Sequence, residues 1–296
     1  MKITDDYSPA HSMKAKPDCI PCMFRQALNT VRTVTDDPAV QTRVLKTLSR
    51  RLGRLSMNQS PAALSQPVYE IVSRVTGVKD PYARQKRENN AAALALLPRL
   101  ERLVRQSPDP LKAAIHLAAA GNIIDLGIGH DFDLKRDVAG LMKQPFARDD
   151  YRAFLRDLKP GRRLLYLGDN CGEIVFDRVL VEYLVARGLT VTFVVKSGPV
   201  INDATRRDAR DTGMTRVCPV ITTGSNDIGV NWSRASTEFR RQAYAADLIL
   251  AKGHGNFETC VGRPGNYYFL LKAKCDIVAQ ELGVKLGDTV FKHAKK

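Results

Sequence analysis

Leu164-Leu-Tyr-Leu-Gly-Asp-Asn-Cys-Gly-Glu-Ile-Val-Phe-Asp177 decides how the rest of this 296-residue chain is read. Its first half, Leu164 to Leu167, is a short unbroken apolar run behind a Pro160-Gly-Arg-Arg turn. Such a run predicts a strand buried on both faces. Its second half sets Ile174, Val175, Val179, Leu180, Val181, Leu184 and Val185 at the spacing of an amphipathic helix. Between them, Gly168-Asp-Asn-Cys-Gly-Glu173 puts two carboxylates and an amide at a strand-to-helix corner. In open α/β sheets, ligands bind at such corners, outside the carboxyl ends of the strands. Asp169 and Asn170 offer hard oxygen donors, suited to Mg, Mn or a similar divalent cation.

Downstream the pattern repeats. Apolar runs at Leu189–Val195, Val217–Thr222, Leu248–Ala251 and Tyr267–Leu271 alternate with helical stretches at 173–187, 203–212, 234–245 and 275–282. Strand and helix in alternation predict a doubly wound, mostly parallel sheet. Upstream the texture is helical. Residues 39–56 carry a stripe at Val40, Val44, Leu45, Leu48, Leu52 and Leu55. Ser60-Pro61 is a cap and first-turn pair for a helix over 62–76, with Pro67 a candidate break. Asp80-Pro-Tyr82 starts another helix, Pro98 is read as opening a further one, and 111–120 is Ala-rich and helical. The expected fold class is α/β with an N-terminal all-helical domain. Residues 1–158 form the helical part, and 159–296 the metal- and phosphate-binding α/β part.

Composition bounds the partners. Hydrophobic residues make 44% and charged residues 26%, as in a water-soluble globular protein. No stretch approaches a membrane span, and Met1-Lys-Ile-Thr-Asp-Asp-Tyr7 has no apolar core of a secretory signal, so a cytoplasmic location is expected. The net charge of +15 is spread evenly: 23 basic and 16 acidic residues up to 150, 23 and 15 beyond. A concentrated basic face would be the stronger nucleic-acid signal. A nucleic-acid-binding module therefore rests on net charge alone.

Three predicted strand ends carry polar constellations: Gly168 to Glu173, Lys196-Ser-Gly-Pro-Val-Ile-Asn-Asp203, and Lys252-Gly-His-Gly-Asn-Phe-Glu258. Asn and Asp are ordinary turn residues, so each corner alone says little. In parallel strands all three lie on one sheet edge and converge. Such a set suits phosphoryl transfer, which needs a cation on the phosphate oxygens and positive charge to absorb what develops. Asp169, Asn170 and Asp203 could hold the cation, and Lys252 could bind phosphate as a point charge. Gly253 and Gly255 would let backbone N–H groups approach closely.

These residues resemble the metal-dependent damage-control phosphatases, one eukaryotic branch of which was described as acidic-residue methyltransferases. The resemblance rests on Gly-Asp-Asn-x-Gly-Glu, Gly-Pro-x-x-Asn-Asp and Lys-Gly-x-Gly-Asn-x-Glu. Asp18-Cys-Ile-Pro-Cys22 with Gln26-Ala, Asp80-Pro-Tyr82, Ala120-Gly-Asn-Ile-Ile-Asp125 and Phe269-Leu-Leu-Lys-Ala-Lys-Cys275 extend it, toward the largely prokaryotic branch that bears Cys-x-x-Cys. It covers nearly the whole chain. It implies one divalent cation (Mn, Ni, Co or Mg) on Asp169, Asn170 and Asp203, and a small phosphorylated substrate such as a sugar phosphate or damaged phosphometabolite. By motif position Lys252 meets the phosphate, with Gly253, Asn256 and Glu258 beside it, and Asn122 and Asp125 reach the same cleft. The chain departs from the family pattern at Cys171, His254 and Asp276. His254 reads either as a general acid or as a rim residue.

Cys19 and Cys22 form the one tight cysteine pair among six. The spacing fits a redox pair, half of a zinc site, or two idle thiols at a helix start. A complete zinc site wants four ligands, and Cys275 is a third only if the C-terminal helix folds back. Glu173 and Glu258 read equally as charges that complement helix N-termini. A carboxyl methyltransferase using S-adenosylmethionine is the rival enzyme reading, although no Gly-x-Gly-x-x-Gly follows the first strand.

Overall fold

The computed structural model describes residues 13–121, 140 and 144–295. Helices α1 (Cys19–Arg32), α2 (Pro38–Leu52), α3 (Pro61–Thr76), α4 (Ala83–Arg105) and α5 (Pro110–Ala120) come first. Then follow β1 (Arg148–Asp149), α6 (Tyr151–Asp157), β2 (Arg163–Leu167), α7 (Glu173–Ala186), β3 (Thr190–Val195), α8 (Arg206–Asp211) and β4 (Val220–Thr222). The chain continues through α9 (Thr237–Ala245), β5 (Leu248–Lys252), α10 (Gly253–Cys260), β6 (Asn266–Lys272), α11 (Asp276–Leu282) and β7 (Thr289–Lys295). The seven strands form one sheet in the order β1-β7-β6-β5-β2-β3-β4. Among the described residues, only strands β6 and β7 pair antiparallel. The expected fold class is observed.

Side-chain alternation along the strands builds a core on each face of the sheet. Leu164 and Tyr166 of β2, with Leu248 and Leu250 of β5, join one cluster with α4, α5 and α7. Leu165, Leu167, Ile249 and Ala251 join the other, with α9, α10 and α11. Helices α1 to α3 close around a third cluster that includes Met23, Val31, Val44, Leu48, Leu64 and Val68. Asp37, Ser60 and Asp109 each accept a backbone N–H at a helix start, and each precedes a proline. That pairing satisfies an orphan donor and places proline where no N–H is needed. Among the described residues no helix is long and apolar enough to cross a membrane.

Two proline expectations give way. Pro98 lies inside α4, and Pro67 inside α3. An interior proline costs about 3 kcal/mol, but Ala93, Leu97, Leu100 and Val104 bury one continuous stripe across Pro98, which outweighs that cost. Val217 lies before its strand, which begins at Val220. Strand β7 has no sequence forecast, because only Val290 and Phe291 of its seven residues are buried. It holds β1 on one side and β6 on the other. Phe291 packs against Phe154 at 5.2 Å and Tyr268 at 5.7 Å between ring centroids. Phe291→Ala should therefore lower stability by about 3–5 kcal/mol, read from urea denaturation. A loss below about 1 kcal/mol would mean that β7 is not part of the folded sheet.

Candidate active site

The strand order puts β2 between β5 and β3, so three carboxyl ends stand side by side. The chain leaves β2 toward β3 and later returns to β5 on its other side, which makes β2/β5 the switch point where such sheets bind ligands. Asp169 and Asn170 follow β2, Asp203 follows β3, and Gly253 follows β5. Asn170 and Asp203 form an isolated antiparallel bridge. The Ala204 N–H donates to Asp169 O at 2.8 Å, and Cys171 N–H to Asn202 O at 2.9 Å. The first two corners are thus laced by backbone bonds.

The acids are held in unfavourable company. Burial, then the neighbouring charges of Asp203 and Glu173, push the Asp169 carboxyl well above the usual range. Burial also raises Asp203, against the pull of Lys196. Lys196 Nζ lies 3.5 Å from Asp203 Oδ2 and donates to Gly229 O. No Lys, Arg or His forms an ion pair with Asp169 among the described residues. Two crowded carboxylates and an amide make an oxygen-only donor set, which fits a hard divalent cation. Its positive charge would relieve the repulsion. Among the described residues no three His, Cys, Asp or Glu side chains gather as a metal-binding group, so Asn170 is the donor that would complete this centre.

Lys252 ends β5 and is buried. Its Nζ donates to Asp177 Oδ1 at 2.7 Å and to Glu173 Oε2 at 3.1 Å. The Tyr166 hydroxyl donates to the same Asp177 oxygen at 2.7 Å. Burial works against the lysine's charge, but Asp177 and Glu173 outweigh it and raise its pKa. Burial lifts Asp177 to about 6, with Lys252 opposing. Glu173 Oε1 accepts from Asn170 Nδ2 at 2.9 Å. Glu173 is therefore an internal link rather than a free helix-start charge.

The other forecast residues are spread around this centre. A Cβ on Gly253, where φ is +76°, would stand 1.9 Å from Asp169 Oδ2, so only glycine admits the carboxylate here. Asn256 donates to Gly168 O at 3.0 Å and Lys252 O at 2.8 Å, and clamps α10 to the β2 corner. Glu258 is buried, accepts the Ala62 N–H, and is pushed up to about 8 by burial. It joins α10 to the start of α3. His254 Nε2 lies 2.8 Å from Lys272 O and 2.9 Å from Lys274 N, and burial lowers the ring to about 4, so it is neutral. Cys171 is a core residue whose Sγ lies 3.8 Å from Asp203 O. Gly121, at the end of α5, presses on Glu173, where an added Cβ would meet Cγ at 2.7 Å. Asn122 and Asp125 lie outside the described residues. Cys19 is buried and Cys22 exposed at the start of α1. Cys275 caps α11, and the thiols at 19 and 275 both sense Glu258.

Sequence reasoning missed Lys86, Asn90 and Lys274. Lys86, buried in α4, pairs with Asp80 at 2.7 Å and acts electrostatically on Asp203. Asn90 accepts the Gly172 N–H at 2.7 Å and donates to Asp208 at 3.0 Å, tying α4 to two corners. Lys274 draws Asp169 downward. In the sequence Lys86 and Asn90 look like surface helix residues, Lys86 about one turn beyond Asp80-Pro-Tyr82, and Lys274 stands in the Phe269–Cys275 motif with no role attached.

Comparison with known proteins covers nearly the whole chain. Residues 15–290 match the model of the damage-control phosphatase ARMT1-like domain. A damage-control phosphatase of Archaeoglobus fulgidus is 35% identical, over 95% of this chain and 99% of its own. One of Pyrococcus horikoshii is 32% identical, over 96% and 99%. The crystal structure of a DUF89-family protein from Pyrococcus horikoshii superposes with a TM-score of 0.89 at 32% identity, covering 96% of this chain and all of that one.

Gly253→Ala should displace the Asp169 carboxylate. A shift of about 1 Å in a reacting group costs about 10²-fold in rate, and that is the loss expected in turnover, with the circular dichroism spectrum unchanged. Wild-type turnover in this variant would remove Asp169 from the site.

Proposed function

The chain belongs to the damage-control phosphatase ARMT1-like family, and we propose that it hydrolyses phosphate monoesters of small metabolites, sugar phosphates or damaged phosphometabolites, with one divalent cation. The observation that carries this reading is the like-charged pair of half-buried Asp169 and buried Asp203, with the Asn170 amide, at the β2/β5 switch point. Asp169, Asn170 and Asp203 would hold Mn, Ni, Co or Mg. Such a cation polarises the phosphoryl oxygens and lowers the pKa of a bound water.

The protein's own residues do the remainder. Lys196, whose ammonium lies beside Asp203, and Lys274, whose charge is felt at Asp169, supply positive charge along the cleft for phosphate oxygens. The N-terminus of α10 begins at Gly253, against Asp169, and adds its partial positive charge there. Asn90, Asn256 and the backbone bond from Ala204 to Asp169 keep the corners from moving apart under repulsion. The six cysteines are free thiols, which suits a reducing cytoplasm.

Turnover of a panel of sugar phosphates tests the reading. Dialysis against chelator should abolish it, and Mn, Ni, Co or Mg should restore it. Asp169→Asn should lose about 10³-fold, equal to roughly 4 kcal/mol of barrier. Equal rates in both proteins, with and without chelator, would refute metal-dependent hydrolysis.

A further inference from the structure

The family resemblance assigns Lys252 to the substrate's phosphate, but its surroundings give it other work. Its side chain is 1% exposed, and so is that of Glu173, while Asp177 is fully enclosed. Two of the three ammonium hydrogens point at carboxylates. With both acids ionised the group of three carries a net negative charge, which repels a phosphate dianion rather than attracting one.

We propose that Lys252 is a positioning residue that acts through Glu173 on the Asn170 carboxamide. The reasoning follows donors and acceptors. Both Glu173 oxygens accept: Oε2 from Lys252 Nζ at 3.1 Å and Oε1 from Asn170 Nδ2. The Asn170 atom facing Glu173 Oε1 at 2.9 Å is therefore the amide nitrogen. That nitrogen also lies 3.4 Å from Asp169 Oδ2. Two carboxylates claim Nδ2, and the carbonyl oxygen is the atom left as a cation donor. Without Glu173 as an acceptor, the amide could turn and offer N–H groups, which repel a cation. Outer partners of metal ligands act in this way elsewhere, and their loss costs about 10–100-fold in metal affinity. Tyr166 and Asp177 complete the support: the hydroxyl and the ammonium share one Asp177 oxygen, which holds Lys252 from behind. This inference rests on the cation reading above and reassigns one residue within it.

Mn2+ binding, followed by electron paramagnetic resonance without substrate, separates the roles. Glu173→Gln keeps the shape and the Lys252–Asp177 pair. Its amide oxygen satisfies Lys252, so its NH2 faces Asn170 and calls for the Asn170 oxygen. Glu173→Gln and Lys252→Met should each weaken Mn2+ binding about 10–100-fold. Excess Mn2+ should recover kcat, and inhibition by inorganic phosphate at saturating Mn2+ should stay as in the wild type. Unchanged Mn2+ affinity in Glu173→Gln would overturn the inference. So would a Lys252→Met protein that binds Mn2+ normally but loses phosphate inhibition. If Lys252→Met does not fold, Glu173→Gln alone decides. A wild-type protein that binds no Mn2+ would overturn the metal-dependent reading, and this inference with it.

Discussion

Crowding of acids at the β2 corner is the constraint that the rest of the structure answers. Asp203, Glu173 and Asp177 are buried and Asp169 half-buried within one region, where Glu173 raises the charging cost of the other three and Asp203 that of Asp169. Buried charges persist only when paired or coordinated. Lys252 answers for Glu173 and Asp177, and Lys196 for Asp203. Asp169 has no such partner among the described residues, and it faces the start of α10 instead. A fold at equilibrium would relax this arrangement by letting the loops part, unless other bonds forbid it. Asn90, Asn256 and the lacing between residues 169–171 and 202–204 forbid it.

The sheet provides the means. Parallel neighbours send all their carboxyl ends to one edge, and the reversal between β2 and β5 leaves room there for side chains from both directions. The N-terminal helices then serve the same edge. Lys86 and Asn90 of α4 reach the corners, α5 ends on Glu173, and Glu258 of α10 caps α3. The helices belong to the site as much as the strands do.

How much of this was legible follows from what each signal encodes. Strands β2, β3, β5 and β6 were readable because both faces are buried, which turns them into unbroken apolar runs. Strand β7 was not, since only Val290 and Phe291 of its seven residues are buried and no unbroken apolar run marks it. The three corners were readable because strand and helix periods change there. The lysines were half legible. Lys196 and Lys252 sit next to motif glycines, but Lys86 lies within a polar helical run, Arg84-Gln-Lys-Arg-Glu-Asn-Asn90, where nothing marks which side chain turns inward. Burial of a charged residue is a tertiary fact.

Lys252 also marks the limit of reading role from motif position. A lysine beside glycines at a strand end is compatible with phosphate binding and with carboxylate pairing, and composition favours neither. What separates them is the sign of the charge already present. Around Lys196 one carboxylate lies near, and that carboxylate is itself a candidate cation ligand, so bound cation would free the ammonium for a phosphate. Around Lys252 two carboxylates lie within hydrogen-bond distance, and only one of them touches a candidate ligand. A bound cation leaves that count unchanged. The two lysines, alike in sequence, therefore differ in their surroundings: Lys196 pairs with a carboxylate that a cation could claim, and Lys252 with acids that the fold itself has buried.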